Sequence, residues 1–195
     1  MKERPILFNA PMVRAILDGR KTQTRRIAKV TSEGCKEGFI TPLAGFVPRS
    51  IENHISYCPH GVAGDRLWVR ETFSSHIGNY GESIEYAYRA THDDRYGPWK
   101  PSIHMPRSAS RILLEVTNVR VERLQDISEE DAVAEGIEQE PGTSHWKNYD
   151  TSPGGWRYWE SPIQSYRTLW ESINGKGSWD LNPWVWVVEF NVPKK

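Results

Sequence analysis

Two hydrophobic periods alternate along this chain. Met12, Val13, Ile16 and Leu17 recur at helical spacing, Pro11 suits a first turn and Gly19 a stop, so residues 11–18 are predicted to form a short helix. Period-two runs follow later. Arg66 to Thr72 and Ile84 to Arg89 read as strands. Ile112, Leu114 and Val116 alternate, and so do Val119 and Val121. The two runs meet out of phase near Thr117-Asn118, which predicts a turn or a bulge. Ser128 is a good N-cap, with Asp131 three residues on and Gly136 as a stop, so a second short helix is expected between them. Ser161-Pro162 opens a third helix, whose stripe is Ile163, Tyr166, Leu169, Trp170 and Ile173 and whose end is Asn174-Gly175. The largely apolar run Trp184-Val185-Trp186-Val187-Val188-Glu189-Phe190 reads as a buried final strand.

Short strands outnumber helices, and strand and helix do not alternate regularly. The expected fold class is therefore α+β: a small mixed, partly closed β-barrel flanked by short helices, not a doubly wound sheet. Residues 31–63 and 138–160 are rich in Gly, Pro, Ser and aromatic residues and read as loops.

At 195 residues, one domain is the natural expectation. Nine Trp, eight Tyr and five Phe set the chain apart from charged disordered sequences. No apolar run approaches the roughly 18 residues of a membrane span. With two cysteines and no leader-like start, a reducing cytoplasm is the default.

Net charge is zero, but its distribution is uneven. Residues 1–30 hold eight bases and two acids, net +6; residues 122–140 hold eight acids and one base, net −7. Either two solvated faces attract each other weakly, or the basic segment serves a ligand.

The densest chemistry lies between Gly19 and Arg26. Arg20, Arg25 and Arg26 can make forked contacts to phosphate or carboxylate. Their charge disfavours a proton on Lys21, and a partly neutral lysine can take the proton of a hydroxyl such as that of Thr24, three residues on. The alternative is a basic surface turn. Glu135 sits in the last turn of its predicted helix, where a negative charge is disfavoured, so it is held by a cation elsewhere, serves a site or faces solvent. Glu71 is a second carboxylate candidate, with an edge-strand ion pair as its plain alternative. Trp146, Tyr149, Trp156, Tyr158 and Trp159 could stack on bases or fold back as a satellite core. Cys35, His54, Cys58 and His60 lack the usual zinc spacing, so no metal and no other cofactor is expected.

Four segments in order resemble the ASCH-domain family: Gly19 to Arg26, Pro59 to Glu71, Ala109 to Gly136 and Asn182 to Phe190. The opening Arg4-Pro5-Ile6-Leu7-Phe8 and the Trp-rich end look like its larger phage and prophage members. The resemblance implies a PUA-like fold as a single domain over 1–195, with insertions at 31–58, 76–104 and 138–160. Its small bacterial N4-acetylcytidine amidohydrolases use a lysine, a threonine and a glutamate at positions that match Lys21, Thr24 and Glu135. The implied activity is metal-independent hydrolysis of a modified nucleoside, with Arg20, Arg25, Arg26 and Glu71 as ligand contacts. Other members bind or cleave RNA. A binding module for single-stranded RNA or a modified base, or a single-stranded RNA nuclease, is therefore the alternative.

Overall fold

A computed structural model describes residues 1–28, 55, 58–77, 84–152 and 157–193. It is a mixed α/β structure built on one five-stranded sheet with a few short helices.

The sheet strands are β1 (Glu3–Leu7), β2 (Gln23–Ile27), β3 (Arg66–Arg70), β6 (Leu113–Arg123) and β9 (Trp184–Asn191), in the spatial order β1-β3-β6-β9-β2. Only β1 and β3 run parallel; the other neighbours are antiparallel. Two strand pairs stand apart: β4 (Phe73–Ile77) with β5 (Ile84–Tyr88), and β7 (Trp146–Lys147) with β8 (Tyr158–Trp159). The helices are α1 (Ala10–Leu17), α2 (Glu129–Ala134) and α3 (Pro162–Asn174).

The local signals act much as their chemistry dictates. Asn9 caps α1 by accepting the Met12 N–H at 3.0 Å, and Pro11 lies in the first turn. Ser128 caps α2 by accepting the Asp131 N–H at 3.1 Å. The out-of-phase runs near Thr117 form one strand with a bulge, not two strands with a turn: the register shifts between Val116 and Asn118. Thr117 and Asn118 are both exposed, which lets Val116 and Val119 face the same core.

The final strand is apolar apart from Glu189 and Asn191 because both of its faces are covered. Trp186, Val188 and Phe190 join Ile6, Val13, Ile16, Leu67 and Leu114 in one core. Val185 and Val187 join Leu124, Ala132, Tyr166 and Trp170 in a second, beneath α2 and α3. The segment 138–160, read as a loop, contains the β7–β8 pair; Trp146 and Tyr149 fold back against the second core, while Trp156 lies outside the described residues. Most of 31–63 also lies outside them.

β1 and β2 form the two edges of the sheet and share no ladder among the described residues. A side chain bridges them instead: Arg26 on β2 donates to the Leu7 carbonyl on β1 at 2.7 Å. No helix is long and apolar enough to cross a membrane among the described residues.

The bulge makes a register test. Inserting one alanine after Arg120 puts Val119 and Val121 three positions apart, which turns Val121 to the outer face and should cost about 1.5 kcal/mol or more, from the burial of one valine. Deleting Thr117 restores simple alternation with the same inward residues and should leave a cooperative thermal transition. Circular dichroism melts of the two variants check both outcomes.

Candidate active site

The basic segment is delivered by the end of α1. Gly19 adopts φ +73°, and the Arg20 and Lys21 N–H groups both bond to the Ala15 carbonyl, at 2.9 and 3.0 Å. The chain then meets the C-terminus of α2: Thr22 N–H donates to Ala134 O at 2.9 Å, and Lys21 forms an isolated bridge with Glu135. The fit is close. Gly136, at φ +84°, leaves α2 where a Cβ would lie 2.7 Å from Lys21 Cβ and 2.9 Å from Ala15 Cβ. Only glycine suits that position.

Lys21 is 2% exposed and Glu135 3%. Lys21 Nζ donates to Glu135 Oε2 and to the Glu135 carbonyl, each at 2.8 Å. Arg25 Nη1 donates to Glu135 Oε1 at 3.1 Å. The carboxylate at the unfavourable end of a helix is thus held by two cations and does not face solvent. Burial brings the Lys21 ammonium below its usual value. Glu135 pulls the other way, and Arg26 and Arg25 add to the lowering.

Arg25 has no solvent-exposed side chain. It donates to Glu122 Oε1 at 2.5 Å through Nη2 and 3.0 Å through Nε, and to Asp131 Oδ2 at 2.7 Å. Burial would drive it toward neutrality, but Glu135, Tyr166 and Glu122 keep it charged. Arg120 extends the network to Asp131 at 2.6 Å, to Glu122 at 3.0 Å and on to Glu189. Burial pushes Asp131 upward, but Arg25 and Arg120 outweigh it and hold the carboxyl below its ordinary range. The basic and acidic segments therefore meet through the interior, not across two solvated faces.

Thr24 is 1% exposed, and its hydroxyl has no hydrogen-bond partner among the described residues. It lines a cavity of about 50 Å³ together with Arg26, Glu135, Tyr166, Leu169 and Trp170. Arg26 packs over the Phe8 ring at 5.3 Å, and Lys21 Nζ lies 5.6 Å from the same ring. Among the described residues Arg26 has a backbone carbonyl but no carboxylate within ion-pair distance.

The structure brings Lys21 and Glu135 into contact and puts Thr24 in the wall of Glu135's cavity. It disperses the other named residues. Arg25 is committed to three carboxylates, so its fork supports Glu135 and is not open to a phosphate. Arg20 is partly exposed, pairs with Asp18 at 3.0 Å and donates to the Gly136 carbonyl at 3.1 Å. Glu71 is buried elsewhere, held by Arg111 at 2.9 and 3.1 Å, with its N–H on Met105 Sδ. The plain alternative, an ion pair, describes Glu71. Sequence reading missed Glu122, Asp131 and Tyr166 as neighbours. Tyr166 was visible only as part of a helix stripe, and Glu122 only as one acid among many.

Cys35 and His54 lie outside the described residues. Cys58 is buried, and burial raises its thiol above the usual value. Burial, Arg26 and Arg4 push His60 down to about 4. Among the described residues no group of three or more His, Cys, Asp and Glu is arranged to hold a metal ion.

No family model, no curated protein and no solved structure matches the chain.

Replacing Glu135 by alanine leaves Lys21 buried without its counter-charge and should cost about 3–5 kcal/mol. Lys21→Met should cost less, because Arg25 still neutralises Glu135. Urea unfolding of the two variants gives the order. His60 gives a pH test. The unfolded chain takes up a proton near 6.5 and the folded chain near 4, so the unfolded state binds more protons in between. Stability should therefore rise with pH from 4 to 6.5, by at most about 1.4 kcal/mol per unit from this group. His60→Gln should flatten that slope in unfolding curves taken at half-unit steps.

Proposed function

We propose that this chain is a metal-independent hydrolase of a modified nucleoside, most simply an N4-acylated cytidine, with Thr24 as nucleophile and Lys21 as its base. The observation that carries this reading is the pair of Lys21 Nζ hydrogen bonds to Glu135, beside a cavity shared with an unpartnered threonine hydroxyl. A neutral amine has two N–H groups and one lone pair. Glu135 O and Oε2 take both N–H groups, which leaves a lone pair for the Thr24 proton, although Lys21 is outside the cavity wall and makes no hydrogen bond to Thr24 before substrate binds. Lys21 rests as the ammonium partner of Glu135 and acts as base on losing a proton, which burial and the neighbouring guanidinium groups favour and Glu135 opposes.

In this scheme Thr24 Oγ attacks the acyl carbon while its proton passes to Lys21. Collapse of the adduct expels the amine, which takes that proton. Water then cleaves the acyl-threonine, with Glu135 or Lys21 receiving its proton, and releases a carboxylic acid. The cavity of about 50 Å³ has room for a small acyl group, since about 10–15 Å³ of such volume holds one water. The base and ribose would rest at its mouth, near Arg26. An ASCH-type, PUA-like architecture goes with this reading, and the Arg26 bridge between the two sheet edges supports a partly closed barrel.

A second reading is a module that binds a modified base or single-stranded RNA without turnover. It is favoured by the saturation of both Glu135 oxygens in a fixed ion network.

Incubation with N4-acetylcytidine in the presence of chelator should release cytidine and acetate. Thr24→Val and Lys21→Met should each lower the rate by at least about 100-fold. Intact nucleoside with the wild-type protein, together with retention of labelled single-stranded RNA, would favour the binding module.

A further inference from the structure

Tyr166 on α3 is 3% exposed and lies in the same cavity wall as Thr24 and Glu135. Its ring is fixed on three sides. Trp170 packs at 6.4 Å and Trp179 edge-on at 6.2 Å, and the Arg25 guanidinium stands 5.9 Å from its centroid. Its hydroxyl has no hydrogen-bond partner among the described residues. A phenol favours a hydrogen-bond partner, and this hydroxyl is not among the fully buried polar atoms left without one, so it reaches accessible space. The cavity is the place where one can be supplied.

We infer that the Tyr166 hydroxyl is a catalytic hydrogen-bond donor that holds the acyl oxygen of the substrate as negative charge develops on it. The inference rests on the hydrolase reading above. The donor must remain protonated, and it is: burial first and Glu135 second raise the phenol well above its ordinary value. When Thr24 Oγ bonds to the acyl carbon, the carbonyl π pair moves to oxygen. That oxyanion accepts the phenolic O–H without taking its proton, and the pair returns to carbon as the C–N bond breaks. Nothing is oxidised or reduced, and Tyr166 ends as it began. Such a donor acts mainly in the transition state, so it lowers the barrier more than it tightens substrate binding. Thr24 attacks, Lys21 moves the proton and Glu135 is an acceptor, while Arg26 and the unpartnered indole N–H of Trp170 are further donors in the same cavity wall.

Tyr166→Phe tests this with N4-acetylcytidine as the probe. Removing an unpartnered hydroxyl should leave the melting temperature within about two degrees of wild type. It should lower kcat about 100- to 1,000-fold and change KM less than about threefold. A merely structural role would instead lower the melting temperature or move KM with kcat. If the phenylalanine variant fails to fold, trifluorotyrosine at position 166 keeps the shape and makes the phenol a stronger donor. Its kcat should then differ from wild type at pH values where it stays protonated. Wild-type turnover with an unchanged kcat in Tyr166→Phe, or in the fluorinated form, overturns the role of Tyr166 and leaves the hydrolase reading standing. Absence of wild-type turnover overturns both.

Discussion

A lysine and a glutamate buried against each other at the junction of α1, β2 and α2 set the terms for everything near them. Taking two charges out of water costs several kcal/mol per ion, and their attraction offsets that only when the remaining donors and acceptors are satisfied. Lys21 therefore needs both the carboxylate and the carbonyl of Glu135, and Glu135 needs Arg25 on its second oxygen. The backbone is arranged to allow it. The Ala15 carbonyl holds the lysine end, Thr22 is tied to Ala134, and Gly136 is bare where Lys21 passes.

From that pair the charges run outward in alternation. Arg25 shares Glu122 and Asp131 with Arg120, which reaches Glu189 on β9. Exposure rises along the chain, from fully buried Lys21 and Arg25 to a third-exposed Arg120 and Glu189. The outer pairs are screened by solvent and contribute little each, whereas the inner ones lose most if a partner is removed. The network also links β2 to α2 and β6, which positions Thr24 and Arg26 at the cavity.

The aromatic residues do a different job from the one their abundance invites. Trp146 and Tyr149 pack on the second core, and the Tyr149 hydroxyl accepts the Glu138 N–H at 2.9 Å. Tyr166, Trp170 and Trp179 form one wall of that core, and two of them also line the cavity. Aromatic side chains have area enough to cover an exposed sheet face and still present a polar tip, as Tyr166 does.

The sequence by itself determined the local elements. Period-two runs, the Ser128 cap, the prolines opening α1 and α3 and the phase slip at Thr117 rest on backbone geometry and on residues a few positions apart. The carboxylate at the end of α2 was legible as a charge in need of a cation, because the helix dipole is a local effect. Tertiary structure decided which cation. Lys21 and Glu135 are 114 residues apart, and no periodicity links them. Only the sheet order and the passage of the chain beneath Gly136 bring them together. The same holds for Arg25, whose fork looked free in sequence and is filled by three acids from β6 and α2. It holds for Glu71, which found Arg111 instead of a ligand. A side chain's partner depends on which strands are neighbours, and that is fixed by the burial of both faces of β9, not by any short stretch of residues.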